Sequence, residues 1–444
     1  MLIAAAVLLS PCSSKATDTA QVLLEKGILL FEINEIDDCI DELTDAVEID
    51  SSNYKAYLIR GKAHYFNREY ELAIKDCETV LILNHNNPTA LIFKILSLNG
   101  IGDSNVLEGI DKIDMESKDN EILAEGYYYR AWAKISFLDD EIGGLSDSDS
   151  SISILPTEKA YHNRGIVKLD LCDTTGAIED LLNETNLFGQ REDILSLYSL
   201  GKIERLMGDI YRKKGNKEKH NNCFRKAYDY FTRALDIIQF ADGYYYRSFI
   251  NATKKMALDD LLKAIELKGR RPRYHFWAGC YSIYSAKMSD SSGENYFLEA
   301  LEYFNKAIEL LPNAMYFEDK GKYYLGRGSA HFDLGNYNEA LSDFESFREI
   351  EPEDSYPYVL KGMVMRELND YAGSLRELSR AIELEPDDVV AFWQRGLTKI
   401  KLGDNEGALA DLNKVIELDP SFAESDEYKN AILEINSPGK SNSE

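Results

Sequence analysis

Six histidines are the first residues to weigh for chemistry: His64, His85, His162, His220, His275 and His331. No two stand at i, i+4, and none joins a cysteine or carboxylate at metal-ligand spacing. Each reads as a core or surface histidine. The six cysteines, Cys12, Cys39, Cys77, Cys172, Cys223 and Cys280, contain no CxxC and fit neither a zinc site nor a disulfide framework. Most of them read as packed thiols. Asp147, Asp149, Ser151 and Glu158 echo a calcium loop, but Ile152 stands where such a loop needs glycine. No phosphate-cradling loop, Walker lysine or nucleophile elbow is present. Carboxylates are too abundant for any one pair to mark an acid/base couple. The expectation is no metal, no cofactor and no catalysis.

The charged residues instead carry a rhythm. Arg60 is followed by Asp76, Arg164 by Asp180, Arg327 by Asp343 and Arg395 by Asp411, each 16 residues on. Lys26–Glu42 and Lys361–Glu377 share the spacing, and Arg130–Asp147 and Arg247–Asp260 depart from it. Two antiparallel helices joined by a tight turn would bring such residues face to face. The pairs therefore read as structural ion pairs that fix hairpin register, specific in geometry and uncertain in net stability. The alternative is that the arginines line a ligand groove.

The elements that would position these residues follow from a second periodicity. Tyr358–Pro386 and Phe392–Pro420 align so that Gly362 and Gly396, and Pro386 and Pro420, stand 34 residues apart. Gly328, Ala340, Phe344 and Pro352 hold the same offsets one unit earlier. Gly27, Cys39, Ala46 and Ser51, then Gly61, Ala73, Cys77 and Val80, hold them near the start. Small residues let paired helices approach, apolar ones fill the seam to the next pair, and proline stops the second helix. Gly335-Asn336 and Gly403-Asp404 suit the turn inside a pair.

This pattern resembles the tetratricopeptide repeat over roughly residues 18–420. The resemblance implies an all-α fold: a right-handed α-α superhelix, or solenoid, of about eleven helical hairpins plus a C-terminal capping helix. The expected organisation is a leader (1–17), an N-terminal block (18–200), irregular units with insertions (201–312), a regular block (313–420), a cap (421–436) and a disordered tail (437–444). Residues 144–156 read as a weak second helix, and the unit around Ile95 to Met115 fits poorly. In the family, first helices line a concave groove. Here that would present Lys62, Tyr65, Tyr128, Trp132, Tyr245, Phe249, Trp393 and Leu397, although several also suit hairpin core. An aromatic groove suits an extended peptide or a helix. One family variant clamps a carboxylate tail with Lys and Asn in its first unit. Leu24 and Ile28 occupy those places here and exclude it.

The formal net charge is −27, which argues against nucleic-acid phosphates and anionic membranes and favours basic partners. Two basic clusters interrupt the acid: Arg212, Lys213, Lys214, Lys217 and Lys219, and Lys268, Arg270, Arg271 and Arg273. Both read as solvated loops, or as local sites for an acidic partner. The run LIAAAVLL ahead of Cys12 resembles a bacterial lipoprotein signal. Pro11 and the missing basic residues depart from that pattern. The expectation is export or a place in the cell envelope, with Cys12 as the lipidation site if the run is a lipoprotein signal rather than a simple secretory signal or a frayed helix, and the membrane touched only through that anchor. A cytoplasmic protein is expected if the run is no signal. The function expected is a non-catalytic scaffold for protein or peptide partners, the alternative being a surface binding protein for a glycan or other small ligand.

Overall fold

The computed structural model describes residues 15–436, apart from 114, 116, 118, 139, 189–192, 251–252, 289–292 and 312–319. Cys12, residues 1–14 of the leader and the tail 437–444 lie outside the described residues. Among the described residues every regular element is a helix.

The chain divides into two compact units, Met1–Leu267 and Lys268–Glu444. The first unit pairs α1 (Lys15–Glu32) with α2 (Ile36–Ile49), and α3 (Tyr54–Phe66) with α4 (Tyr70–Leu83). There, α5 (Pro88–Gly100) pairs with a 3-10 stretch (Ser104–Lys112), and α6 (Asn120–Leu138) with α7 (Glu141–Ile154). Next come α8 (Glu158–Asp170) with α9 (Thr174–Phe188), α10 (Ile194–Lys213) with α11 (Lys217–Ile237), and α12 (Ala241–Ser248) with α13 (Lys254–Leu267). In the second unit α14 (Pro272–Lys287) pairs with α15 (Glu294–Leu310), and α16 (Gly321–Asp333) with α17 (Tyr337–Ile350). It continues with α18 (Tyr356–Glu367) and α19 (Tyr371–Leu384), then α20 (Val389–Leu402) and α21 (Asn405–Leu418). A 3-10 turn (Pro420–Glu424) leads to the capping helix α22 (Asp426–Asn436).

The repeated residues explain the pairing. A Cβ at Gly328 would lie 2.7 Å from the Phe344 ring, and one at Gly362 would lie 2.6 Å from Leu378. Cys39, Ala73, Ala340 and Ala408, at the small positions of the second helices, are each fully buried. Polar caps start many helices: Asn53 accepts from Ala56 N, Thr157 from Ala160 N and Asp404 from Gly407 N. The turn between paired helices needs a left-handed residue, supplied by Gly335 (φ 77°) and Gly403 (φ 78°). Asn34 (φ 64°) and Cys172 (φ 62°) adopt the same region without that freedom.

The boundary between the compact units, Leu267 to Lys268, falls inside the segment 201–312. Other sequence expectations change. The sixth hairpin's surplus residues lengthen α10 to 20 and α11 to 21 residues instead of forming a loop. Arg212, Lys213, Lys217 and Lys219 are accordingly helical. The poorly fitting third unit replaces its second α-helix with the 3-10 stretch. Residues 144–154 do form a helix, despite five serines in α7.

Candidate functional site

Within every hairpin that carries it, the basic–acidic pair closes from first helix to second. Arg60 grips Asp76 at 2.8 and 2.7 Å, and Arg164 grips Asp180 at 2.9 and 2.6 Å. Arg327 with Asp343 (2.9 and 2.6 Å) and Arg395 with Asp411 (2.9 and 2.7 Å) repeat this two-pronged fork. Arg130–Asp147 and Arg247–Asp260 form it as well. Lys361 reaches Glu377 at 3.2 Å, and Lys26 meets Glu42 at the surface. The aspartates are buried, so each needs its cation.

A second cation, missed in the sequence, stands four residues after the arginine. Lys134 lies 3.2 Å from Asp147, Lys168 2.8 Å from Asp180 and Lys399 2.7 Å from Asp411. His64 fills that place beside Asp76, its Nε2 3.9 Å away. His331 fills it in the ninth hairpin, where burial holds its imidazole below the ordinary value of 6.5 while Asp343 pulls the other way. The i, i+4 spacing was the available signal, since both cations then share one helix face. These aspartates are buried within their own hairpins, and the ladder ties each first helix to its second.

The inner face of the first unit is where distant residues meet. Lys62 Nζ lies 3.0 Å from Glu125 Oε1 and 3.3 Å from the Tyr129 hydroxyl. Burial pushes the Glu125 carboxyl up, but Lys62, with help from Lys159 and Thr89, more than offsets it and leaves the group below its usual range. Lys159 on α8 pairs with Glu32 on α1, although 127 residues separate them. Asn34 donates to Asp242 at 2.9 Å, and the Ala241 amide donates to Glu35 at 3.4 Å. Those two contacts join the first hairpin to the seventh, so the unit curls until its ends touch. Lys202 lies over the Tyr198 ring at 4.5 Å, and burial holds its ammonium below the ordinary 10.5.

A cleft of ≈ 250 Å³ opens on this face between α1, α3, α6 and α8. Ile28, Phe31, Leu58 and Ile122 supply its apolar lining, and the Lys62–Glu125 and Lys159–Glu32 pairs flank it. Lys55 and Glu121 also line it, and neither side chain has an ion-pair partner among the described residues.

The predicted groove residues are not presented together as an open aromatic surface. Lys62 lines the cleft but is only 4% exposed, its charge spent on Glu125. Tyr65, also 4% exposed, belongs to the core and is not available to a ligand. Trp132 stacks on Phe93 (centroids 6.2 Å apart) and meets Tyr65 and Phe66 edge-on or tilted. Tyr128 packs edge-on against Tyr129 at 4.7 Å, and Tyr245 against Phe249 at 5.0 Å. Trp393 and Leu397 pack with Tyr428 and Ile432 of the capping helix, and Trp393 meets Phe422 at 5.0 Å. Tyr128, Trp132, Tyr245, Phe249, Trp393 and Leu397 stay half-buried, because large apolar groups gain by packing part of their surface where a hairpin meets its neighbours.

Burial pushes the thiols of Cys39, Cys77, Cys223 and Cys280 up to about 12, leaving them protonated and unreactive. Among the described residues no three His, Cys, Asp or Glu side chains form a metal-holding group. No described helix is long and apolar enough to cross a membrane.

Stacked antiparallel helix pairs with a 34-residue step define a helical-hairpin repeat protein, a class whose stacked helices make extended binding surfaces. Residues 321–354 and 389–422, which hold α16–α17 and α20–α21, match the family model of the tetratricopeptide repeat. The chain thus carries tetratricopeptide repeats at these two places, within a fold of stacked helix pairs. It is similar to the DnaJ protein P58IPK homolog of Arabidopsis thaliana, 27% identical over 218 residues, covering 46% of this chain and 43% of the relative. A TPR repeat-containing protein of Methanocaldococcus jannaschii is 21% identical over 372 residues, covering 73% of this chain and 63% of the relative. The chain thus spans less than two thirds of either curated relative. Among solved structures it is similar to yeast Tom70, with 16% identity, a TM-score of 0.42, and coverage of 94% of this chain and 88% of that one.

Proposed function

We propose that this protein is a non-catalytic scaffold that holds a peptide or protein segment against the first helices of its N-terminal unit. The cleft between α1, α3, α6 and α8 is the anchor point. One observation carries the reading: an apolar hollow of ≈ 250 Å³ is rimmed by Lys55 and Glu121, charges that no described side chain neutralises. A hollow of that size suits one or two partner residues, the scale of an interface anchor rather than of a whole ligand. At longer range the net charge of −27 favours basic partners.

Site-specific photo-crosslinking tests this. A photoreactive residue at Lys55, inside the cleft, is compared with one at Lys75, exposed on α4 away from it. The expected result is one protein crosslinked through a defined peptide at position 55 and absent at position 75. Equal capture at both positions would remove the site. We further propose an envelope location through Cys12, supported by the apolar run before it. Fatty-acid labelling of the full chain that survives Cys12→Ser would remove that tether.

A further inference from the structure

In a chain of net charge −27, the turn between α10 and α11 gathers Arg212, Lys213, Lys214, Lys217 and Lys219 around a single acid, Glu218. The fold makes this cluster prominent. From Gly201 to Ala227 the sixth hairpin spends 26 residues where Gly165 to Ala177 takes 12, so each helix gains seven. Seven residues add about 10 Å of helix at 1.5 Å per residue. The extension therefore lifts its tip beyond the neighbouring turn. All five basic side chains are exposed. Arg212 bonds Asp209 at 3.1 Å, and the Lys219 ammonium rests 5.0 Å from the Tyr211 ring centre. Lys213, Lys214 and Lys217 have no ion-pair partner among the described residues.

Beside this tip lies a second cleft of ≈ 390 Å³, formed with the start of α9. Ile178 and the Tyr211 ring give it an apolar base. Lys214 and Lys219 flank it, and Thr175 and Asn216 add polar groups. We infer that this cleft is a docking surface for an acidic peptide segment of a partner protein. Carboxylates would sit on Lys213, Lys214, Lys217 and Lys219, with a bulky apolar side chain between them on Ile178 and Tyr211. Charge complementarity selects the occupant. The acidic body disfavours nucleic acid, whose dense phosphates would meet repulsion beyond the patch, and disfavours a second copy, which brings its own −27. A short acidic segment meets the attraction and little of the repulsion.

The surface is separate from the cleft between α1, α3, α6 and α8, so the inference does not depend on the function proposed there. Fluorescence anisotropy on the full chain tests it. The probe is a labelled peptide of alternating Glu and Asp around a central Phe-Leu, set against a Lys-substituted counterpart and a single-stranded RNA of equal charge. The expected result is saturable binding of the acidic peptide alone, weakened at least tenfold by Lys214→Glu with Lys219→Glu. The control pair Lys263→Glu with Lys306→Glu, exposed elsewhere, should leave the affinity unchanged. Melting temperatures of both variants should match the wild type, because all four positions are exposed. The inference is overturned if the acidic peptide fails to bind, if the RNA binds more tightly, if the charge reversal leaves the affinity intact, or if sedimentation shows that the tip joins two copies.

Discussion

Asp76 and Asp411 stand at equivalent places and are equally buried, yet their surroundings predict different fates for the arginine each holds. Beyond Arg60, Asp76 has only His64 Nε2 at 3.9 Å, whereas Asp411 keeps Lys399 at 2.7 Å. Arg60→Met should therefore destabilise its hairpin by about 3 kcal/mol, the cost of a stranded buried charge. Arg395→Met should cost about 1 kcal/mol, since the methionine keeps the stem packing and Lys399 keeps the charge paired. Urea melts of the two variants compare them, and equal losses would show that the second cation is idle. Acid adds a further prediction. Burial holds His275 below the ordinary 6.5; its Nε2 bonds the Gly269 carbonyl at 2.9 Å and its buried Nδ1 has no partner. A depressed histidine takes up fewer protons folded than unfolded. Its share of stability is thus complete above pH 6.5 and lost as pH falls through the folded value. His275→Gln should flatten part of the fall in melting temperature below that pH, and an unchanged profile would assign the fall to other groups.

Hairpin geometry was legible because it is local. A glycine opposite a small residue, and a cation 16 residues before an acid, are fixed once two helices pack antiparallel. The second cation went unread because His64 and His331 look like isolated histidines until the aspartate facing them is known. Helix length in the sixth hairpin was also misjudged, since a polar, basic insertion between apolar stretches carries no mark distinguishing helix from loop. The packing glycines divide by sign. At Gly165 the nearest atoms to an added Cβ lie 3.5 Å away, so Gly165→Ala should stabilise by about 0.5 kcal/mol or more through a better helix interior. At Gly328 the Phe344 ring at 2.7 Å and Asp343 Cβ at 3.0 Å leave no room, so Gly328→Ala should cost about 1–3 kcal/mol. Thermal melts of the pair read both signs at once, and a common sign would contradict the packing described.

The curl of the N-terminal unit could not be read from its sequence. Glu32 with Lys159 and Asn34 with Asp242 depend on how small rotations accumulate over successive hairpins, a quantity no single repeat encodes. That curl turns the inner face into packed rings and bridging charges and leaves a confined cleft where the repeat pattern alone promised an open groove. Across the whole chain, 77 acidic residues against 50 basic ones make self-repulsion the dominant long-range term. Raising sodium chloride from about 20 to about 200 mM should therefore raise the first unfolding midpoint, because the Debye length falls below the spacing of surface charges while buried pairs are little screened. A falling midpoint would mean that surface pairs such as Lys26–Glu42 contribute more than repulsion removes.

Filling the cleft of the N-terminal unit tests the central claim most directly. Ile122 lines it from α6, and Ile122→Trp would occupy the hollow. The measurement is the affinity of the partner crosslinked at position 55 for the wild-type chain and for this variant, by titration calorimetry, with circular dichroism verifying the helices. A loss of tenfold or more with the helical signal intact is the predicted result; equal affinity for both chains would contradict it.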